Sequence, residues 1–189
     1  MVLLPVDELN RFTSELSIHF EDGRIRSEQD RKDIENDLLE FFLFAYANGT
    51  AAANADLGTN FKPDVSAVQR VVYEPVAGET WKQRVDKYYR DGGTEYDIQR
   101  IAETDMTRIY NTAVLDVAEQ EGRTSPVLKR WETMMDDRVR DTHEYLQSVV
   151  VPYDADFITY DGDRAKAPGL FSLPENNINC RCTITLLRG

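Results

Sequence analysis

Cysteine and histidine are scarce in this chain, two of each among 189 residues. Thiol, imidazole or soft-metal chemistry therefore has very few places to reside. Nowhere does the sequence reach the roughly eighteen consecutive apolar residues that a membrane-spanning helix needs, so no helical span and no membrane partner are expected. Positive charge is also in short supply. With 22 Lys and Arg against 34 Asp and Glu, the formal net charge is −12. Nucleic-acid phosphates would meet like charge, so tight direct nucleic-acid binding is not expected. The clearest basic patch is Lys129-Arg130 with Arg138 and Arg140. The sequence has no Gly-rich loop to cradle phosphates, no nucleophile elbow or oxyanion motif, and no internal repeat, heptad array or low-complexity tract. Met1 to Val6 is apolar, but acidic residues follow at once, against a secretory signal. A reducing cytosol, where thiols stay free, is the expected setting. The sequon Asn48-Gly49-Thr50 then has no consequence.

What is present suffices for a folded domain with a helical extension. Apolar residues make up 41% of the chain, enough for a core at this length. Asp7 is placed to start a helix with Leu9, Phe12 and Leu16 on one face, ending near Gly23. Ser27 caps a second, with Ile34, Leu38, Phe41, Phe42 and Ala45 inward and Gly49 as its stop. Residues 50–63 read as a loop or hinge. Short helices follow at Val65–Val72 and from Trp81 to Gly92-Gly93. The strongest pattern opens at Thr94-x-x-Asp97, a capping box with Asp in place of Glu. Its stripe of Ile98, Ala102, Met106, Ile109, Ala113 and Val117 ends at Gly122. After Pro126 the texture becomes β-like at Val127–Met134, Val149–Val151 and Phe157–Tyr160, with a short helix at Asp141–Gln147. A loop over Ala165–Asn177 leads to a closing strand at Cys182–Leu187. The fold class is α+β: a helical N-terminal region with one long helix, then a small mixed unit closed by a strand. Residues 1–63 and 64–189 are expected to be the two parts.

Both cysteines lie in one tetrapeptide, Asn179-Cys180-Arg181-Cys182, and His143 closes Asp136-x-Arg138-x-Arg140-x-x-His143. Polar motifs so far apart make sense if they meet in space. A Cys180–Cys182 disulfide would be strained, because residues two apart on a strand lie roughly 6.6 Å apart. Two readings stay open. Cys180, Cys182 and His143, with Asp136 or a water as fourth ligand, form a tetrahedral zinc site, although the spacing is shorter than the usual Cys-x₂₋₄-Cys. Alternatively, both thiols are small buried hydrophobes and His143 is a framework residue. Arg138 and Arg140 are expected to pair with Asp136, Asp137 and Asp141, and His19 to lie at a surface or interface. The aromatic run Phe41, Phe42, Phe44 and Tyr46 fits either a partner-binding surface or a helix buried on all sides.

In these residues the chain resembles the phage Mu protein F-like family, minor head proteins of tailed-phage head morphogenesis. The resemblance runs from Trp131 through Asp136, Arg138, Val139, Arg140 and His143 to Pro174 and Asn179-Cys180-Arg181-Cys182. Upstream, Glu103-Thr104-Asp105 and Asn111 occupy the places of the family's Arg-Thr-Glu element and its Asn. Two departures stand out: Glu103 replaces an arginine, and Leu146-Gln147-Ser148 lacks the glycine usual in that turn. The resemblance covers roughly residues 80 to 187. It implies a non-enzymatic, stand-alone structural protein of the virion, bound to the portal, the major capsid protein or both, and present in host cytoplasm during assembly. Such proteins assist head morphogenesis, DNA packaging or DNA delivery. The alternatives are a small toxin-like or hydrolytic enzyme using His143 with Cys180 or a metal-bound water, and a head–tail connector or outer capsid component.

Overall fold

Two long helices set the frame of the computed structural model, which describes residues 6–63, 65–76 and 78–189. The apolar run at the chain start lies outside the described residues through position 5. Ahead of the frame, α1 (Val6–Leu16) ends early, in a 3₁₀ turn at Ser17–His19. Asp22-Gly23 does not stop a helix. It joins β1 (Phe20–Glu21) to β2 (Arg24–Ile25) with positive φ at both residues, 49° and 74°, as a tight two-residue hairpin requires. His19 is buried against Asp30, at 3.2 Å, rather than at a surface.

The first long helix, α2 (Glu28–Leu57), starts where Ser27 accepts the Asp30 N–H at 3.1 Å. It passes through Gly49 and ends at Gly58, in the left-handed conformation. Gly49 serves close approach instead of termination. A Cβ there would collide with the Tyr110 carbonyl oxygen of the crossing helix and press on Ala113. Of the aromatic run, Phe41, Phe42 and Tyr46 are buried and Phe44 is exposed. Phe41 stacks on Phe12 and Phe42 meets Trp81 edge-on. The run is therefore mostly core.

After α3 (Val65–Val72) comes α4 (Trp81–Asp91), closed by a Thr80–Gln83 capping box and by Gly92. The second long helix is α5 (Glu95–Gly122). At its start the Asp97 carboxylate accepts both the N–H and the hydroxyl of Thr94 at 2.9 Å. The expected apolar stripe is buried, and from Thr104 to Asn111 every residue is buried. Over this stretch the helix is enclosed on all sides, so its polar side chains there must find protein partners.

Against this frame lies a small antiparallel sheet. It consists of β3 (Val127–Glu132), β4 (Val150–Pro152) and, at the far end of the chain, a closing strand at Thr183–Arg188, with β3 central. The intervening chain holds α6 (Asp141–Glu144), the pair β5 (Phe157–Ile158) and β6 (Arg164–Ala165), and α7 (Pro174–Asn177). The closing strand is β7. It pairs with β3 from Val127↔Arg188 to Glu132↔Thr183. Leu186 N–H donates to Asp56 at 3.0 Å, and the Arg188 guanidinium donates to the Leu57 carbonyl. The apolar core is thus continuous across position 63. Ser148, where the resemblance implies a glycine, takes the left-handed conformation, φ 64°, and its N–H donates to Trp131 O at 2.9 Å. The turn forms without the glycine. None of the described helices is long and apolar enough to cross a membrane.

On β3, Val127, Lys129 and Trp131 face inward. Lys129 is fully buried and donates to the Tyr153 carbonyl at 2.7 Å. A surface patch of Lys129 with Arg130, Arg138 and Arg140 therefore does not form.

Gly49→Ala should expose the tight crossing. In an exposed helix this change would stabilise by up to ~1 kcal/mol. Here overpacking is expected to reverse the sign and cost about 3 kcal/mol, read by urea unfolding. Lys129 yields a pH prediction. Burial, with Lys166 adding to the push, lowers its ammonium to about 8, against an ordinary value of roughly 10.4. Between these values the unfolded chain holds the proton and the folded chain gives it up. Stability is therefore expected to rise by about 2 kcal/mol between about pH 7.5 and pH 9.5. Lys129→Met should remove that rise.

Candidate metal centre

The cysteine segment is held by one face of α5. Thr104, Thr107 and Asn111 follow at helical spacing and all three are buried. The Thr104 hydroxyl accepts the Asn179 N–H at 3.2 Å, and the Thr107 hydroxyl donates to the Cys180 carbonyl. Asn111 Nδ2 donates to Cys182 O at 3.0 Å and reaches Pro168 O at 3.3 Å, while Oδ1 accepts Ile184 N–H at 3.0 Å. Asn179 bends the chain with φ 55° just ahead of the first cysteine.

Both thiols then converge on one ring nitrogen. Cys180 Sγ and Cys182 Sγ each lie 3.5 Å from His143 Nδ1. The expectation that the two motifs meet is met. His143 comes from α6, where its N–H bonds Arg140 O at 2.9 Å. Its ring packs edge-on to Trp131 and stacks on Phe171, with centroids 5.3 and 5.5 Å away. Phe171 is placed by Asn177, whose amide bonds both its N–H and its carbonyl. The same loop folds around Asp163, which accepts from Ser172 Oγ at 2.6 Å and Asn176 Nδ2 at 2.9 Å. Burial alone would raise the Asp163 carboxyl; the bonds from Ser172, Asn176, Leu173 and Arg164 outweigh it and hold it below its usual range.

The thiols titrate as a pair. The hydrogen bond from Cys182, joined by His143, holds Cys180 well below the usual thiol range against the effect of burial. Cys182 is pushed up, first because it supplies that hydrogen bond and then because it is buried.

The three donor atoms fit a soft metal. Zinc with bonds of about 2.0–2.3 Å and tetrahedral angles sets its ligand atoms roughly 3.5–3.8 Å apart. The nitrogen–sulfur distances of 3.5 Å match that edge, and all three donor atoms lie within 4.8 Å of one another. Asp136 is not brought to this group. Its carboxylate is gripped by both terminal nitrogens of Arg181, at 2.7 and 2.8 Å, which hold it below its usual range. Beside His143 and Cys182 is instead a cavity of about 10 Å³, also lined by Met134 and Asn179, about the space of one water. Buried Asn179 Oδ1 and His143 Nε2 have no hydrogen-bond partner among the described residues.

The nearby arginines also depart from expectation. Arg140 donates to the Ile178 carbonyl, and Arg138 lies 3.9 Å from Glu103. Glu103, one of the two departures from the resemblance, thus faces an arginine. The sequence reading missed the clamp of Thr104 and Thr107, although a polar row inside an apolar helix was its available signal. It also missed Asp163 and Asn177, which sit in a segment without periodicity.

The sequence model of the family described as "Phage Mu protein F like protein" matches residues 67–185. Among curated proteins, the NAD(+)--arginine ADP-ribosyltransferase EFV of Enterococcus faecalis is 26% identical, over 61% of this chain and 30% of its own. The minor head protein GP7 of Bacillus phage SPP1 is also 26% identical, over 58% of this chain and 36% of its own. The chain thus spans about a third of the length of each relative. No solved structure matches it.

Proposed function

The chain belongs to the phage Mu protein F-like family, and from that premise we propose that it is a structural component of a tailed-phage head. The observation that carries this reading is the use to which the motif residues are put. Trp131, His143, Cys180, Cys182 and Asn111 bind chain to chain inside the protein, and all five are buried. In this reading residues 64–189 are the head-morphogenesis unit and residues 1–63 complete its core. The partner is the portal, the major capsid protein or both, and the protein assists head morphogenesis, DNA packaging or delivery. It resides in the virion after assembly in host cytoplasm.

The enzyme reading rests on a relative whose name describes arginine ADP-ribosylation, of which the match covers 30%. A His143–Cys180 nucleophile would need substrate access. Both residues are about 1% exposed, and neither lines the cavity of about 410 Å³ beside α4 and α5. The geometry therefore favours a structural role.

The same centre is proposed to hold zinc through His143, Cys180 and Cys182, with a water in the fourth position. The metal would supply stability by joining α6 to the cysteine segment. Protein purified without chelator is expected to carry about one zinc per chain and to melt lower when the metal is removed. Cys182→Ser should melt lower as well. Substoichiometric metal with unchanged melting on chelation would leave the thiols as buried hydrophobes. The head role is tested separately by electron cryo-microscopy of heads assembled with and without the chain. Density at the portal vertex that disappears with the chain is expected, and its absence from purified heads would refute the proposal.

A further inference from the structure

Charged residues make up 30% of this chain, yet none falls between Phe41 and Ala55 on α2. The gap matters because the helix is only partly covered there. Leu43 and Phe44 are 43% and 42% exposed, and Ala47, Ala51 and Ala55 are exposed as well. Glu40, Leu43, Phe44, Ala47 and Ala51 stand at i, i+3, i+4, i+7 and i+11, so they share one face. A contiguous exposed apolar face of this kind marks an interaction surface.

Beside it runs a groove of about 320 Å³. On the α2 side it reaches buried Tyr46 and Thr50, and the segment after α2 walls it with Phe61, Pro63 and Val68. Asn54 fixes that wall, donating to the Phe61 carbonyl at 3.0 Å and accepting the Phe61 N–H at 2.9 Å. The groove is therefore preformed.

The face carries opposite charge at its two ends. Glu40 is exposed at one end, in acidic company. Burial, with Glu15, Asp33 and Glu40 adding to the push, holds the nearby Asp37 carboxyl above its usual range against the pull of His19. Lys62, exposed on the groove rim, follows the Phe61 that Asn54 holds. It thus stands near the other end, about 21 Å along the helix from Glu40. Neither Glu40 nor Lys62 enters an ion pair among the described residues.

Such a face is complementary to itself. Two chains of net charge −12 repel over most of their surfaces, and the uncharged stretch is where they can meet. Turned antiparallel, a second copy lays its Leu43 and Phe44 over Ala47 and Ala51, whose small side chains allow two helices a close approach. The same turn carries Glu40 of each copy towards the partner's Lys62. A parallel arrangement would set Glu40 against the partner's Glu40, at a cost. Two-fold symmetry then makes every contact twice.

We propose that the chain self-associates as an antiparallel pair through this face of α2, with Leu43 seated in the partner's groove and Glu40 beside the partner's Lys62. The pairing does not depend on the head role.

Sedimentation equilibrium of the full chain at physiological salt is the test. The apparent mass is expected to climb from one chain to two as concentration rises. Ala47→Arg, at an exposed helical position that suits arginine, should keep the chain monomeric with its melting unchanged. Glu40→Lys and Lys62→Glu should each weaken pairing by at least about tenfold, and the double exchange should restore it. The exchange decides the matter if Ala47→Arg fails to fold. A chain that is monomeric at every concentration would overturn the proposal, as would a dimer that Ala47→Arg leaves intact. Pairing lost in both single exchanges and not recovered in the double would overturn the antiparallel arrangement. A monomer whose incorporation into heads Ala47→Arg abolishes would overturn the second copy as occupant and assign the face to a different protein.

Discussion

One buried carboxamide sets the relation between the two halves of the structure. Asn111 sits in the middle of α5, and its amide bonds the backbone at Thr107, Pro168, Cys182 and Ile184. An apolar residue there would leave carbonyls and an N–H buried and unpaired, each costing about 1–3 kcal/mol. The contact therefore works as a registration device. It fixes which residue of the C-terminal segment faces which turn of the helix, and so where the thiols lie relative to His143. The zinc reading, the pairing of β7 with β3 and the tight seat of Gly169 on Arg108 all depend on that register.

The clamp follows from how deeply α5 is enclosed. A helix with one apolar stripe leaves its polar face to water. When α2 crosses it closely at Gly49 and the C-terminal loop covers another side, polar residues on the remaining faces lose water. Thr104, Thr107 and Asn111 answer by bonding the loop backbone. Asp105 answers by pairing with both Arg108 and Arg84. The same enclosure thus produces a fully satisfied polar row on one side and an incompletely satisfied arginine pair on the other. The first holds the fold together, and the second lines a cavity.

Local chemistry was legible in the sequence wherever a residue acts on its own neighbours. Ser27 and Thr94 start helices because their side chains bond within their own first turns, and Gly92 stops one by adopting a left-handed backbone. The alternation over Thr183–Leu186 reads as a strand because one face is buried. Residues whose role depends on a distant partner were harder to read. Gly49 has the spelling of a helix stop, and only the approach of Tyr110 shows otherwise. Asp136 has the chemistry of a ligand, but Arg181 lies nearer to it than the thiols do. Lys129 reads as surface charge until the pleat of β3 turns it inward, where the Tyr153 carbonyl receives it. The meeting of His143 with Cys180 and Cys182 was legible for a different reason: few residues of those types exist to be combined.

Native-state amide hydrogen exchange on the full chain measures the clamp most directly. If α5 and the cysteine segment form one cooperative unit, the Ile184 and Asn179 amides, bonded to Asn111 and Thr104, exchange only when the whole protein unfolds. Their opening free energies should then equal the global stability from denaturant unfolding. Loop-like exchange at these two amides, while the interior of α5 stays protected, would contradict the account.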